Sequence, residues 1–483
     1  MNEIIYDKRI LAHVVLEAVT PLVISSGNKS VLTDSPILKD LNGFPYIPGT
    51  SMAGILRHCV GEDKAKGFFG MKDGKTVKGS RIIISEAKMV GLDGTVLDGI
   101  VDLDTLDKDW ISRFVRLPKR NHVRISDKGT AEDKGKFDEE VIYKGTRFAF
   151  DVELVASMDD EAKYFDETLS ELLKETFRIG GGSRSGFGKV KVVSLLKKEL
   201  DLRKADELDG YLKCSSSLCS DYSGWTEVAG GNVSDAGWIK YDITLTPEDF
   251  FLFGAGFGDD EVDDKAVTES YINWGDKSVK GKFIDNAILI PAASLKGALS
   301  HRVAFHYNAQ HNKVYAIETD PNDFGKHCGS QNPAVKELFG YQDDDSETSQ
   351  KRGICLFEDI IGEYETAEKV LNHVSIDRFT GGAIDGALFS EKVIDRKALK
   401  SESKTESEVE DSLASDVVDG KDRNLEFKTS ILVKKPSGKS EDFDKALDCL
   451  ELALKDIDRG TLPLGGGSGR GHGIFKCKWT KTE

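Results

Sequence analysis

In the stretch RILAHVVLEAV, Leu11, His13, Val15 and Glu17 alternate with Ala12, Val14, Leu16 and Ala18, and this period of two among branched side chains predicts a strand. The following loop, SSGNKSVLTDSPILKDLNGFPYIPG, closes with an Asn-Gly turn before PYIPG and delivers a helix from about Ser51 to Val60. FFG at Phe68 leads to RIIISEA, a second strand, and then to RLPKRNHVRISDKGTAEDKGKFDEEVIY, a polar segment with the marks of a hairpin. TRFAFDVEL buries Phe148, Phe150, Val152 and Leu154 on one face of a third strand, FDETLSELLKETF has the period of an amphipathic helix, and RIGGGSRSGFGKVKVVSL ends the half with a glycine loop and a strand. The order is βαββαβ with a large hairpin inserted.

Residues 201–236 show no sustained period and read as a linker. The order then recurs. WIKYDITLT is a strand, a long loop through GDDEVDD follows, and IPAASLKGALSHR repeats the proline-led helix opening, with Ser294 and Gly297 in the places of Ser51 and Gly54. ELFG and RGICLFEDI answer FFG and RIIISEA. HVSIDRFTGGAIDGALFSEKVI answers HVRISDKGTAEDKGKFDEEVI, matching His122 with His373 and Phe137 with Phe389. In the closing loops Gly180, Gly181, Gly182 and Ser183 match Gly465, Gly466, Gly467 and Ser468. One glycine loop is weak, but several ordered elements recurring in register make an internal repeat. The predicted fold is α+β, two ferredoxin-like (RRM-like) units: residues 1–200 with a hairpin at about 116–142, and residues 237–483 with insertions at about 308–335 and 394–423.

Composition narrows the function. A chain of 483 residues suits two or three domains, and 39% hydrophobic with 31% charged residues describes a globular protein without a membrane-length apolar run. The first residues lack the apolar segment of a signal peptide, so the expected location is the cytoplasm. A net charge of −17 argues against a free-standing nucleic-acid binder, yet acid concentrates in segments such as GDDEVDD and YQDDDSE while arginines sit beside the glycine and turn motifs. Seven scattered cysteines without a CxxC pair argue against a disulfide framework and against a cysteine-based zinc site. His301, His306, His311, His327 and Cys328 gather in one region, but their spacing reads as ordinary helix and loop residues more than as zinc ligands.

TDSPILKDLNGFPYIPGTSMAGILR, the hairpin HVSIDRFTGGAIDGALF and the terminal GGGSRSGFGKV resemble the RAMP superfamily, specifically the backbone subunit of type III CRISPR effector complexes, in a fusion of two copies. The resemblance implies a guide-RNA-binding subunit that stacks along a guide (CRISPR) RNA, with hairpins acting as thumbs that displace a nucleotide at intervals. It implies target RNA as a second partner, together with further RAMP proteins, a large polymerase-like subunit and a small subunit. It also implies an endoribonuclease in which an aspartate before PYIPG promotes target cleavage with a divalent cation, Mg or Mn; Asp34 holds that place. From the residues alone Asp34 reads first as a turn starter before Ser-Pro, and it is the resemblance that favours the catalytic role. Aligning VLTDSPIL with AVTESYIN puts Glu269 opposite Asp34, with Asp259, Asp260, Asp263 and Asp264 nearby as other carboxylates.

For the guide, backbone N–H groups of glycine loops and helix openings hold phosphate irrespective of sequence. The candidates on or beside those elements are Ser51, Arg57, Gly181, Gly182, Ser183, Arg184, Ser294, Lys296, Arg302, Gly466, Gly467, Ser468 and Arg470, with Lys119, Arg120, Arg124 and Arg378 on the thumbs. Two rival readings stay open: an RNA-binding scaffold without nuclease activity, and a guide-processing endoribonuclease using His13, His58, His122 or His373. A nucleotide-binding enzyme is disfavoured because GGGSRSGFG lacks both GxGxxG spacing and a P-loop and precedes a strand.

Overall fold

The computed structural model describes residues 6–29, 33–74, 76–126, 129–157, 160–228, 235, 237–275, 280–312, 327–342, 350–362, 366–398 and 424–483. The chain divides into two compact units: Met1–His122 with Phe137–Ala236 and Ser270–Asp285, and Val123–Lys136 with Gly237–Glu269 and Asn286–Glu483.

In the first unit the strand Lys8–Ala18 lies between Arg147–Ala156 and Val190–Asp201, antiparallel to both. Ile82–Ile84 borders Arg147–Ala156 on its far side, and Thr226–Glu227 borders Val190–Asp201. The alternation anticipated in Lys8–Ala18 is realised: Ile10, Ala12, Val14 and Leu16 are buried beside Phe148, Phe150, Val152 and Leu154, in one core with Met52 and Leu56 of the helix Gly49–Cys59 and with Phe165 and Leu169. Burying such side chains contributes roughly 2 kcal/mol each.

The other face of that strand is covered as well, because His13 stacks on Tyr222 at 3.8 Å and its Nδ1 lies 2.7 Å from Asp151 Oδ1. Residues 201–236 thus depart from the linker reading. They carry the helix Ala205–Leu212, the ring over His13 and a strand of the sheet. Their pattern has no period because most of the segment crosses the sheet as a cover instead of running within it.

Ser270–Asp285 likewise belongs to the first unit. Ile272 and Trp274 are buried in its core, and Trp274 Nε1 donates to the carbonyl of Gly145 at 2.7 Å. The Arg147 guanidinium sits 3.7 Å from the Trp274 ring centroid. Gly145 has φ +85°, and a Cβ there would stand 2.0 Å from the Ile272 carbonyl oxygen, so only glycine admits this close approach.

The second unit repeats the sheet order: Cys355–Leu356, Phe427–Lys434, Trp238–Pro247 and Phe475–Thr482. Its helices Ala292–Tyr307 and Glu441–Asp458 share a core through Leu295, Leu299, Val303, Leu447, Leu450 and Leu454. The Ser440 hydroxyl caps the second helix at the Phe443 N–H, 3.3 Å away, with Glu441, Asp442 and Asp444 in the first turn suiting its positive end. Of the two anticipated insertions, 313–326 and 399–423 lie outside the described residues, and Ala383–Ala398 continues as one strand beyond the expected start of the latter. No helix among the described residues is long and apolar enough to cross a membrane.

Candidate functional site

Both glycine loops are built alike. Gly180 and Gly465 adopt φ +82° and +87° and approach the carbonyls of Val23 and Leu252 so closely that a Cβ would lie 2.3 and 2.4 Å from the oxygens. The next N–H, of Gly181 and of Gly466, donates to those same carbonyls at 2.8 and 2.6 Å. Gly182 and Gly467 make room for the rings of Phe187 and His472. The Gly181 and Gly466 N–H groups are therefore spent on internal carbonyls, which corrects the expectation that they face a phosphate. The glycines serve first to seat the loop against the strand end.

Each loop abuts the base of a hairpin. The first hairpin is Lys119–Ile125 with Ala131–Glu140, and the second is Thr366–Ile376 with Ala383–Ala398. At the first base His122 stacks on Phe137 at 4.8 Å, its Nε2 2.9 Å from Glu139, and Phe187 of the glycine loop meets the imidazole edge-on. At the second base His373 stacks on Phe389 at 4.7 Å with Nε2 2.9 Å from Glu391. There His472 replaces Phe187 and lies 3.3 Å from Glu391, which also takes an ion pair from Arg470. Glu391 is 1% exposed; burial alone would raise its carboxyl, but Arg470 and His373 outweigh that and hold it below the usual glutamate value. His373 is thus hydrogen-bonded to Glu391, while His122 lies close to Glu139 without a hydrogen bond at its Nε2 among the described residues.

Beside each base lies an exposed loop carboxylate. The Asp34 N–H donates to Asp138 Oδ1 at 2.8 Å, and the Asp138 N–H returns a bond to Asp34 Oδ2 at 3.3 Å. The Asp34 N–H, followed by the Thr33 hydroxyl and the charge of Lys119, keeps the Asp138 carboxyl below the ordinary aspartate value. In the second unit the same places are taken by Asp263 and Ser390: the Ser390 N–H donates to Asp263 Oδ2 at 2.8 Å, and the Asp263 N–H to the Ser390 carbonyl at 3.0 Å.

This pairing revises the alignment of the two loops. Ser35 bridges Glu139 and Asp264 pairs with Glu391, both in parallel register, while Leu38 N–H donates to Ile24 and Val267 N–H to Phe253. Asp34 thus corresponds to Asp263, and Glu269 falls opposite Asp40, which closes the Asn-Gly turn by accepting from the Asn42 and Phe44 N–H groups. Glu269 is 6% exposed, away from the solvent-facing place of Asp34. The signal was present in the sequence: PLVISSG and FFLFGAG end in Gly27 and Gly256, both left-handed, and the aspartates follow at equal spacing. The Ser-containing motif VTES concealed it.

The cationic candidates separate into two groups. Arg57 donates to the carbonyls of Phe69 and Gly70, and Arg302 pairs with buried Asp456 beside His306 and lies over Phe305, so both brace helices. Arg120 is buried over Phe187. Arg124 pairs with Glu132 across its hairpin at 3.0 Å. Lys119 and Arg378 are exposed on the hairpins, Arg470 is exposed but paired with Glu391 over Phe389, and Ser51, Ser294 and Ser468 are exposed on the helix openings and second loop. Ser183 is buried and takes a bond from Arg184; Lys296 is half-buried. A proline, Pro48 or Pro291, holds the N-cap of both helices and offers no side-chain cap, and the first N–H of Ala292–Tyr307 donates instead to Asp359 at 2.7 Å. The His301–Cys328 region forms no metal cluster among the described residues, and His306 bonds Asp456.

Each unit thus carries a hairpin, a glycine loop against its base and a loop carboxylate beside it, in the same order along the chain. The family model of the RAMP superfamily matches residues 15–191 and 265–476, one stretch in each half. The chain belongs to the RAMP superfamily and is a tandem RAMP protein. Membership implies a CRISPR-associated RNA-binding protein, in a superfamily whose members are often nucleases. A search of curated proteins returned no significant match.

Proposed function

We propose that this chain is the guide-RNA-binding backbone subunit of a type III CRISPR ribonucleoprotein, which holds guide and target RNA along two ferredoxin-like repeats and cleaves the target beside each hairpin base. The common sheet order of the two units supports the ferredoxin-like reading. The observation that carries the functional one is the repeated juxtaposition of an exposed loop carboxylate with the foot of a hairpin: Asp34 at Asp138, Asp263 at Ser390.

RNA brings its own nucleophile. With the displaced nucleotide held in line, its 2′-oxygen attacks the adjacent phosphorus, the bond to the 5′-oxygen breaks, and the products are a 2′,3′-cyclic phosphate and a 5′-hydroxyl. Asp34 takes the 2′-hydroxyl proton and water returns one to the 5′-oxygen. In this reading His122 and His373, packed on Phe137 and Phe389 beside Glu139 and Glu391, shape the hairpin bases. A divalent cation, which binds readily through one or two carboxylates plus phosphate oxygens, would sit on Asp34 or Asp263 and supply charge neutralisation at the scissile phosphate. Further RAMP subunits, a polymerase-like large subunit and a small subunit would complete the assembly.

The test is to assemble the complex on a guide RNA and map cuts in a matched target. Asp34→Ala should remove one cut and Asp263→Ala a second, while Glu269→Ala removes none. Unchanged cleavage in both aspartate variants would leave a non-catalytic RNA scaffold. Cleavage of precursor guide by the isolated chain would instead establish guide processing.

A further inference from the structure

Asp138 and Ser390 occupy matching positions, one carboxylate and one hydroxyl, yet each closes a ring of hydrogen bonds with its loop aspartate. Asp138 Oδ1 accepts from the Asp34 N–H at 2.8 Å and from the Thr33 hydroxyl at 3.2 Å, and its own N–H reaches Asp34 Oδ2 at 3.3 Å. Ser390 Oγ accepts from the Asp263 N–H at 3.2 Å, donates to Asp263 Oδ2 at 3.1 Å, and the Ser390 N–H reaches that same oxygen at 2.8 Å.

The path of both loops is fixed without these bonds. Ile37 N–H donates to Glu140 Oε2 at 2.9 Å, Glu140 N–H to the Ser35 carbonyl at 3.1 Å, and Ser26 N–H to Pro36 at 3.0 Å. In the second unit Asp264 and Lys265 pair with Glu391 and Lys392, and Ala255 N–H donates to Lys265 at 2.9 Å. What the ring adds is a hold on the aspartate itself: the Asp138 side chain fixes the Asp34 main chain while the Asp138 N–H meets its carboxylate, and the Ser390 hydroxyl and N–H both meet the Asp263 carboxylate. An exposed aspartate otherwise samples several rotamers, and its direction decides whether an oxygen meets a reacting group.

We propose that Asp138 and Ser390 are positioning residues, which aim the carboxylates of Asp34 and Asp263 through a clasp that needs a hydrogen-bonding side chain and not a charge. The inference rests on the reading of Asp34 and Asp263 as cleavage residues. Duplication supplies the comparison, since the second unit closes the same ring with serine where the first has aspartate.

The experiment compares Asp138→Ala, Asp138→Ser and Asp34→Ala in the assembled complex, measuring cleavage at each cut, target affinity, and amide exchange of the peptide spanning residues 33–38. Asp138→Ala should slow the cut governed by Asp34 by roughly 10- to 100-fold, with target affinity and the other cut unchanged. Its Asp34 amide should exchange faster. Asp138→Ser should restore both rate and protection. Ser390→Ala should slow the other cut to a similar extent, because it removes the hydroxyl that donates to Asp263 Oδ2, and in both alanine variants the main-chain N–H to the loop aspartate remains. If Asp138→Ser is as slow as Asp138→Ala, the charge is what matters and the clasp is overturned. Full activity and protection in Asp138→Ala overturn it as well. A cut that survives Asp34→Ala refutes the cleavage role of Asp34 instead, while the exchange readout still decides the clasp.

Discussion

Replacing Gly465 with alanine isolates the contact that seats the second glycine loop. At φ +87° an L-residue pays roughly 1–2 kcal/mol in left-handed backbone. Its Cβ would start 2.4 Å from the Leu252 oxygen, about 1 Å inside ordinary contact, and that oxygen is also the acceptor of the Gly466 N–H. Relief requires the strand end to shift and weakens a hydrogen bond worth about 1 kcal/mol, giving a total of roughly 3–4 kcal/mol. For a unit of this size that is a fall in melting temperature of roughly 6–15 °C. Gly466 is the internal control, with ordinary φ and a Cβ position 3.5 Å from the same oxygen, so its alanine variant should stay within about 1 kcal/mol of the parent. Gly180 and Gly181 should reproduce the contrast in the first unit, where the distances are 2.3 and 3.7 Å to the Val23 oxygen. Differential scanning calorimetry on the four variants decides the matter. Equal shifts for Gly465→Ala and Gly466→Ala would refute the argument that steric closeness, and not glycine content, shapes the loop.

Three further outcomes are expected. Cys59, Cys214 and Cys219 are exposed and should react with a thiol reagent in the folded chain, whereas Cys355, Cys449 and Cys477 should react only after denaturation, burial having pushed the thiols of Cys449 and Cys477 up to about 11 and about 12. Asp456→Ala leaves Arg302 and His306 without their shared carboxylate and should destabilise the second unit by about 3 kcal/mol, read from denaturant midpoints. Because the folded Glu391 carboxyl lies below its ordinary 4.5, its stabilising contribution is complete above that pH and is lost as pH falls through the folded value; Glu391→Gln should lower stability at pH 7 and flatten its loss in acid, measured by thermal melts from about pH 3 to 7.

The repeat was legible because its strands obey a strict period of two and its glycines occupy left-handed turns that few other residues tolerate. Those constraints act locally, so they print directly on the chain. The covering role of Tyr222 left no such mark, since a ring packed on His13 across the sheet has no periodic neighbours. Asp263 was obscured for another reason. The loop after Val267 departs from PYIPG, and a short likeness around VTES drew Glu269 into the wrong register, outweighing the equal spacing of Asp34 and Asp263 from Gly27 and Gly256 that the sheet bridges bear out. Arg302 shows the converse difficulty: its position after a helix opening suggested phosphate, but a buried aspartate far along the chain claims it.

Trp274 has a bearing on whether the tandem chain can ever be two proteins. It and Ile272 are encoded after the junction of the halves yet complete the interior of the first unit, with the Gly145 carbonyl as hydrogen-bond partner. A polypeptide ending at residue 236 would lack both and expose an apolar slot, forgoing burial on the order of 5 kcal/mol. Severing the gene between its repeats would therefore yield a first fragment prone to self-association, so the fusion is a one-way step.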